Sequence, residues 1–232
     1  MSTFLCIGDI HAPFICKPAF SKVISFLAAL EKKPDYIIQI GDLYDFYSFS
    51  RFPRNVNIMT AEQEVLEGRF CAEEMWRMLK RHAPKAICYQ LLGNHCVRPL
   101  KKMRDVFPEA MSIFEIKPLW KFDGVTTIYD PREELVIEDI VFIHGYRTQL
   151  GSHASFMGKS MVGGHSHRGG VVLLPRFGVE NPIFELNAGY LAGPEDYEAL
   201  KYTPQKWNNW TRGVGYIDDL GPRFIHENNL IK

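Results

Sequence analysis

Neither sign of charge is in excess in this sequence, and long apolar runs are absent. The 232 residues include 27 lysines and arginines and 27 aspartates and glutamates. This balance excludes a global basic field that would attract nucleic acid or an anionic membrane, while a local basic patch stays open. No apolar stretch approaches the roughly 20 residues that cross a bilayer, so we expect no membrane partner.

Cysteine is scarce and shows no paired spacing. The number of cysteines, five, is odd, so we expect free thiols in a reducing compartment. Residues 1–9 lack a basic segment followed by a long apolar one, so we expect no secretion signal and a cytoplasmic protein. The cysteines are Cys6, Cys16, Cys71, Cys88 and Cys96.

The first half of the sequence alternates short apolar runs with segments of helical periodicity. Apolar runs at 3–7, 36–40 and 87–92 predict buried strands. A helix is expected from about Pro18, and a second over 61–82 with Thr60 as its N-cap. The alternation predicts an α/β fold with a parallel sheet, in a single domain that spans residues 1–232.

The remaining pattern makes two further predictions about packing. Six apolar side chains of the second helix should face the core: Val65, Leu66, Phe70, Met75, Met78 and Leu79. After about residue 119, helical periodicity weakens, and short apolar runs predict a second, largely antiparallel sheet packed on the first. These runs are 125–129, 135–143, 171–174, 183–186, 214–217 and 224–231.

Polar side chains with metal-binding chemistry follow five predicted strands: four of those above and the short apolar run 161–162. Ligand sites form where strand ends converge at the carboxyl edge of an α/β sheet. A mixture of carboxylate, amide and imidazole groups suits Mn, Fe, Zn or Ni better than Ca, and there are too many donors for one zinc with an open position. The side chains are Asp9, His11, Asp42, Asp45, Asn94, His95, His144, His165 and His167.

Each of these motifs alone is more often a turn or a solvated surface, but their joint order is specific. In that order the sequence resembles the calcineurin-like metallophosphoesterases over residues 9 to 167. The resemblance is carried by Gly8-Asp9-Ile10-His11, Gly41-Asp42-Leu43-Tyr44-Asp45, Gly93-Asn94-His95, His144-Gly145 and Gly164-His165-Ser166-His167.

The resemblance implies a four-layer α/β sandwich in which two packed mixed sheets are flanked by helices. It also implies two divalent metal ions, of which Mn is favoured, with Fe, Zn, Ni, Co and Mg as alternatives. One ion would be bound by Asp9, His11 and His167, and the other by Asn94, His144 and His165. Asp42 would bridge them.

The expected chemistry is hydrolysis of a phosphoester. A hydroxide that bridges the two metals would attack phosphorus, and protonated His95 would assist the leaving group. Asp45 would orient His95 and raise its pKa. Two departures from the family pattern are Cys96, where an acid is usual, and Phe46, where the protein serine/threonine phosphatases carry arginine. The second departure disfavours that branch.

The sequence specifies the substrate class less closely than it specifies the reaction. A phosphodiester, either nucleic acid or a nucleotide, is favoured, and a phosphomonoesterase acting on small phosphates or phosphoproteins is the alternative. A non-catalytic binding scaffold is disfavoured because every ligand is present, and a homo-oligomer stays open. Candidate phosphate-binding residues are Arg51, Tyr146, Arg147, His153 and Arg168.

Two aromatic segments carry competing interpretations. Residues 44–54 interleave five aromatic side chains with two arginines, which could form a lip for stacked bases or a loop that packs against the domain or a second subunit. We favour packing there, and likewise for residues 207–210, where two tryptophans flank two asparagines.

Overall fold

The computed structural model describes residues 2–52, 58–112, 115–175, 182–193 and 209–230. No α-helix within these ranges has both the length and the apolar character needed to span a membrane. The α-helices are α1 (Lys17–Ala29), α2 (Ala61–His82), α3 (Arg98–Val106) and α4 (Ser152–Met157). The strands are β1 (Phe4–Ile7), β2 (Tyr36–Gln39), β3 (Ile87–Leu91), β4 (Val125–Ile128), β5 (Leu135–Ile137), β6 (Ile140–Phe142), β7 (Met161–Gly163), β8 (Gly170–Leu174), β9 (Ile183–Asn187), β10 (Gly213–Asp218) and β11 (Gly221–His226).

The first sheet is built around the strands predicted from the first half of the sequence. Its strand order is β11-β10-β1-β2-β3-β4, and β1 to β4 are parallel. Phe4 of β1 pairs with Tyr36 of β2, which pairs with Ile87 of β3. The predicted parallel arrangement is confirmed, and it places the carboxyl ends of β1, β2 and β3 at one edge.

The prediction for the later strands is wrong in two respects. β4, β10 and β11 join the first sheet rather than the second. The second sheet, of order β5-β6-β7-β9-β8, is mixed, because β6, β7 and β9 are parallel and only the outer strands are antiparallel. The run 135–143 forms two strands because Glu138 and Asp139 adopt φ of 49° and 64° and reverse the chain.

Alternate side chains of β1 enter two different apolar cores. Phe4 and Cys6 pack against the second sheet, whereas Leu5 and Ile7 pack in the core that α1 and α2 cover. Burial on both faces explains why the run is continuously apolar. A third cluster joins Ala154 of α4 to the outer face of the second sheet. The layers are helices, sheet, sheet and helix, so the predicted four-layer α/β sandwich is confirmed.

The prediction for the inward face of α2 is partly wrong. Leu66 and Phe70 are 63% and 68% exposed. The buried stripe passes instead through Gly68 and Ala72, because the Tyr44 ring lies so close that a Cβ on Gly68 would be 3.1 Å from it. The remaining predicted positions are buried or half-buried: Val65, Met75, Met78 and Leu79.

Most of the aromatic side chains after Asp42 pack into the domain. Tyr44 and Phe46 are buried with ring centroids 5.5 and 5.9 Å from that of Trp120, and Tyr47 is buried as well. The packing interpretation is therefore confirmed for these three rings. Phe52 is 40% exposed, and residues 53 and 54 lie outside the described ranges.

Candidate metal centre

The predicted donors lie where the strands of both sheets end. Five of them adopt left-handed backbone conformations, with φ between 48° and 65°. Non-glycine residues rarely adopt this conformation, and those that do cluster at functional sites. The strained turns direct side chains from separate strands towards a common point. The five residues are Asp9, His11, Asp42, His165 and His167.

Glycines in these turns allow the donors to approach each other. A Cβ on Gly93 would overlap the carboxylate of Asp42, and a Cβ on Gly164 would lie 2.5 Å from Oδ2 of Asp9. A side chain at either position would therefore obstruct the turn and push the donors apart.

Asp9, His11 and His167 form the first group of donors. One ligand atom from each lies within 4.8 Å of the others. Nε2 of His167 is 3.1 Å from Oδ1 of Asp9 and 3.3 Å from Nε2 of His11. Two imidazole nitrogens that face each other beside a carboxylate oxygen form an arrangement that a cation can bind.

The second group adjoins the first through the carboxylate of Asp42. Oδ2 of Asp42 is 3.1 Å from Nε2 of His144. Oδ1 of Asn94 is 3.2 Å from the same nitrogen and 2.8 Å from Nδ1 of His165. Asp42 also forms one group with Asp9 and His144 and another that includes His11, so it lies between the two sets of donors.

The residues at this point fit divalent cations. Asp9 is fully buried, and its Oδ1 faces Nε2 of His167 at 3.1 Å and Nε2 of His11 at 3.8 Å. Burial of the Asp9 and Asp42 carboxylates is costly unless positive charge compensates them. Their combination with imidazole and amide donors suits Mn, Fe, Zn or Ni. The site can therefore bind divalent metal.

Asp45 contacts two histidines, not only the one that was predicted. Its Oδ1 is 2.8 Å from Nδ1 of His95, which confirms the expected contact, and 2.8 Å from Nδ1 of His11. Similarly, Nδ1 of His144 donates to the carbonyl of Ile40 at 2.9 Å. These contacts at Nδ1 fix each ring, and they leave Nε2 of His11 and of His144 directed towards the other donors.

Opposite charges shift the pKa values of the donors. Burial opposes the charged forms, but the histidines around Asp9 and Asp42 outweigh it and hold the pKa of both carboxyls below their usual range. Burial is likewise outweighed at His11, where Asp45 and Asp9 raise the pKa to about 10, and at His144, where Asp42 raises it to about 9. In the metal-free site, His11 and His144 are therefore protonated at neutral pH, although both are predicted to bind cations.

The predicted effect of Asp45, which raises the pKa of His95, is confirmed, but the net pKa of His95 in the metal-free chain is lowered. Burial is the largest effect and lowers the pKa, and the positive charges of His11 and Arg98 lower it further. Asp42 and Asp45 oppose this change without reversing it. The net shift favours the neutral form of the His95 ring in the metal-free chain, and its Nδ1–H donates to Asp45.

Arg98 is a residue of the site that the sequence analysis missed. Its guanidinium donates to Nε2 of His95 at 2.9 Å and to the backbone carbonyl of Asp45 at 2.9 Å. Arg98 begins α3 three residues after His95, and this spacing brings side chains together at a helix start. The spacing was the one available signal, but nothing in the sequence showed that α3 begins there.

Two of the predicted phosphate-binding arginines lie in clefts beside the donors. Arg168 lines a cleft of about 250 Å³ together with His95, Arg98 and Trp210. Arg51 lines an adjoining cleft of about 380 Å³, which shares Arg98 with the first.

The other candidates have different surroundings. Tyr146 is 63% exposed and lines a third cleft together with His144. The guanidinium of Arg147 lies 4.6 Å from the ring centroid of Phe156. Nε2 of His153 accepts hydrogen bonds from the backbone N–H groups of Tyr146 and Arg147, so it stabilises the turn after His144 rather than facing a substrate.

Two further sequence features have clear positions. The Trp210 ring lies 4.2 Å from that of His167, centroid to centroid, which supports packing for this residue, while 207 and 208 lie outside the described residues. Cys96 is fully buried, and burial raises the pKa of its thiol to about 12. The thiol therefore does not replace the charge of the acid that is usual at this position.

Comparison with known proteins agrees with this arrangement. Gene 54 protein of Mycobacterium phage L5 is 24% identical over 218 residues, which cover 88% of this chain and 84% of that protein. Gene 54 protein of Mycobacterium phage D29 is 24% identical over 233 residues, which cover 91% of this chain and 86% of that protein. The family model for calcineurin-like phosphoesterases matches residues 2–169, well over half of the chain. The chain therefore belongs to the calcineurin-like phosphoesterase family.

Proposed function

We propose that this chain is a phosphodiesterase that uses two divalent metal ions. The observation that carries the proposal is the convergence of seven oxygen and nitrogen donors in two adjoining groups, with four of the seven lining a cleft. Asp9, His11 and His167 would hold one ion, and Asn94, His144 and His165 the other, with Asp42 between them. Manganese is the preferred metal. Ions in these positions would acidify a water molecule and neutralise charge on the phosphate oxygens.

His95 and Arg98 are placed to assist departure of the leaving group. Nε2 of His95, whose neutral form is favoured in the metal-free chain, would take the proton that the attacking water loses and pass it to the departing oxygen. Nε2 of His95 is 3.9 Å from Oδ2 of Asp42 and therefore faces the metal-binding donors. Asp45 holds the other nitrogen of the ring. The guanidinium of Arg98 adds a fixed positive charge beside Nε2, which would stabilise the developing alkoxide. Arg168, which also lines this cleft, would bind a phosphate oxygen.

The shape of the surroundings favours a diester over a monoester. Asn94 borders the metal cleft and also both neighbouring clefts, of about 380 and 610 Å³. A diester carries substituents on two sides of the phosphorus and needs space for both. A small monoester would leave one of these clefts unused.

Hydrolysis of two chromogenic substrates tests the proposal. The manganese-loaded protein should hydrolyse bis-p-nitrophenyl phosphate faster than p-nitrophenyl phosphate, and EDTA should abolish both activities. Asp42→Asn should lose metal and activity. The matched control Asp139→Asn alters an exposed aspartate of the β5–β6 turn and should retain both.

A monoester rate equal to or above the diester rate would instead support the phosphomonoesterase. Absence of metal-dependent hydrolysis of either ester would refute the enzymatic proposal and favour a binding scaffold.

A further inference from the structure

Helix α3 concentrates positive charge beside the metal cleft. Its nine residues include four cationic side chains and a single carboxylate, Asp105, although the whole chain has equal numbers of both charges. Such a local excess attracts polyanions at short range even in a neutral protein. The cations are Arg98, Lys101, Lys102 and Arg104.

The cleft that adjoins the metal cleft collects most of this charge. Arg51, Arg98, Lys101 and Lys102 line it, and within the described ranges Asp105 is its one acidic lining residue. The third cleft is less positive, because Asp130 and Glu134 offset two of its three cations, Lys101, Arg104 and Arg132. A chain of phosphates that leaves the metal centre would therefore follow the 380 Å³ cleft.

The two clefts are continuous. Phe52, Asn94 and Arg98 line both of them, so a substrate can extend from one into the other. Phe52 is 40% exposed at this junction, and the guanidinium of Arg51 lies 5.2 Å from its ring centroid. An exposed aromatic ring between basic side chains is the combination that proteins use to bind single-stranded nucleic acid, by stacking a base while cations hold the backbone.

We propose that Arg51, Lys101 and Lys102 form a binding cleft for the phosphates that flank the scissile phosphate of single-stranded nucleic acid. The inference rests on the proposed function, since it assigns a substrate class to the same site. A single strand presents both closely spaced phosphates and accessible base faces, whereas the bases of a duplex are stacked within the helix. An acidic phosphopeptide would match the charge but has no bases to stack on Phe52.

Binding of a labelled oligonucleotide tests the cleft separately from catalysis. The probe is a fluorescein-labelled, single-stranded oligothymidylate with a phosphorothioate backbone, which resists hydrolysis, and anisotropy is measured on manganese-loaded protein. In the double variant Lys101→Gln, Lys102→Gln, we expect the Kd to rise about tenfold. The slope of log Kd against log salt should fall by about 0.7 for each phosphate contact removed.

Two matched variants identify the cause of any loss. Lys32→Gln with Lys159→Gln removes the same charge from exposed positions outside the cleft and should bind like the wild type. Lys101→Arg with Lys102→Arg keeps the charge in the cleft and should also bind, which excludes a folding defect.

Three results would overturn the inference: equal Kd values for the cleft variant and its distant control, a duplex bound as tightly as the single strand, or a phosphopeptide bound more tightly than either. If the wild type hydrolyses bis-p-nitrophenyl phosphate while any of these is observed, the proposed function stands and the cleft assignment fails. If the oligonucleotide binds as expected without diester hydrolysis, the proposed function fails instead.

Discussion

Among single residues, Asp45 connects the metal donors to the group that would assist the leaving oxygen. Its Oδ1 contacts Nδ1 of both His11 and His95 at 2.8 Å, while Oδ2 is buried without a hydrogen-bond partner. One carboxylate therefore orients a metal ligand and the neighbouring catalytic candidate together. Arg98 confines the His95 ring from the other side.

Replacement of His95 tests its proposed role. We expect His95→Ala to keep two metal ions but to lose about 10²–10⁴-fold in kcat, the usual effect of a positioned acid or base. The loss should be greater for a dinucleotide, whose leaving alkoxide is strongly basic, than for a p-nitrophenyl ester. Steady-state rates with both substrates and metal analysis of the variant give the comparison.

His82→Ala is the control for this prediction, since His82 ends α2 away from the cleft and its replacement should leave kcat unchanged. Unaltered turnover in His95→Ala, or an equal loss for both leaving groups, would remove His95 from the leaving-group step.

The motif order was sufficient to predict the donors, but not the contacts between them. Asp9, Asp42 and Asn94 could be placed at one sheet edge because the parallel strands before them, β1, β2 and β3, end together. The second contact of Asp45 and the position of Arg98 could not be predicted. The first depends on how the turns after β1 and β2 direct His11 and Asp45, and the second depends on where α3 begins. The low pKa of His95 was missed because burial outweighs its carboxylate neighbours.

Among the elements, α2 shows most clearly what starts a helix and what decides which face it buries. Oγ1 of Thr60 accepts from the N–H of Gln63 at 3.2 Å, and Oε1 of Gln63 accepts from the N–H of Thr60 at 2.9 Å. This reciprocal capping box confirms the predicted N-cap. The buried face was harder to predict, because it is set by Tyr44 packing on Gly68 and not by the largest apolar side chains.

Removal of the cap should weaken the fold measurably. Thr60→Ala leaves the first turn of α2 without its side-chain acceptor, so we expect the free energy of unfolding to fall by about 1 kcal/mol. Ser21→Ala removes an exposed hydroxyl from α1 and should change it by less than about 0.5 kcal/mol. Urea denaturation of both variants makes the comparison. Equal free energies of unfolding for Thr60→Ala and Ser21→Ala would show that the capping box contributes nothing to stability.

The later strands were misassigned for a reason of topology. Local pattern identifies β4, β10 and β11 as strands but carries no information on which sheet they join. β10 lies late in the sequence and pairs antiparallel with β1, and β11 then pairs with β10 as an edge strand of the first sheet. Pairing between segments so far apart in the sequence is not visible in local pattern.

For the whole molecule, the charges at the centre make stability and metal affinity depend on pH. In the metal-free chain the pKa is about 10 for His11 and about 9 for His144, against about 6.5 in an unfolded chain. A raised pKa in the folded state stabilises the protein fully below pH ~6.5, and this stabilisation is lost as pH rises through 9 to 10. His165 has a pKa lowered to about 4 by burial and by His144. Its titration in the folded state therefore lies below pH 6.5 and does not contribute to the change in stability between pH 7 and 9.

We therefore expect the Tm of the metal-free protein to fall from pH 7 to 9. Metal must displace the two imidazole protons, so affinity should rise over the same range, and calorimetry in buffers of different ionisation enthalpy should detect proton release on binding. The metal-loaded protein should show a smaller change in Tm. A metal-free Tm that rises from pH 7 to 9, or binding without proton release, would contradict the arrangement of charges.

Anomalous scattering from crystals soaked in manganese tests the pair of metal sites most directly. We predict two adjacent peaks, roughly 3.5–4 Å apart, as in other two-metal sites. One should lie among Asp9, His11 and His167 and the other among Asn94, His144 and His165, with Asp42 in contact with both. A map with one peak, or with none at this position, would contradict the account.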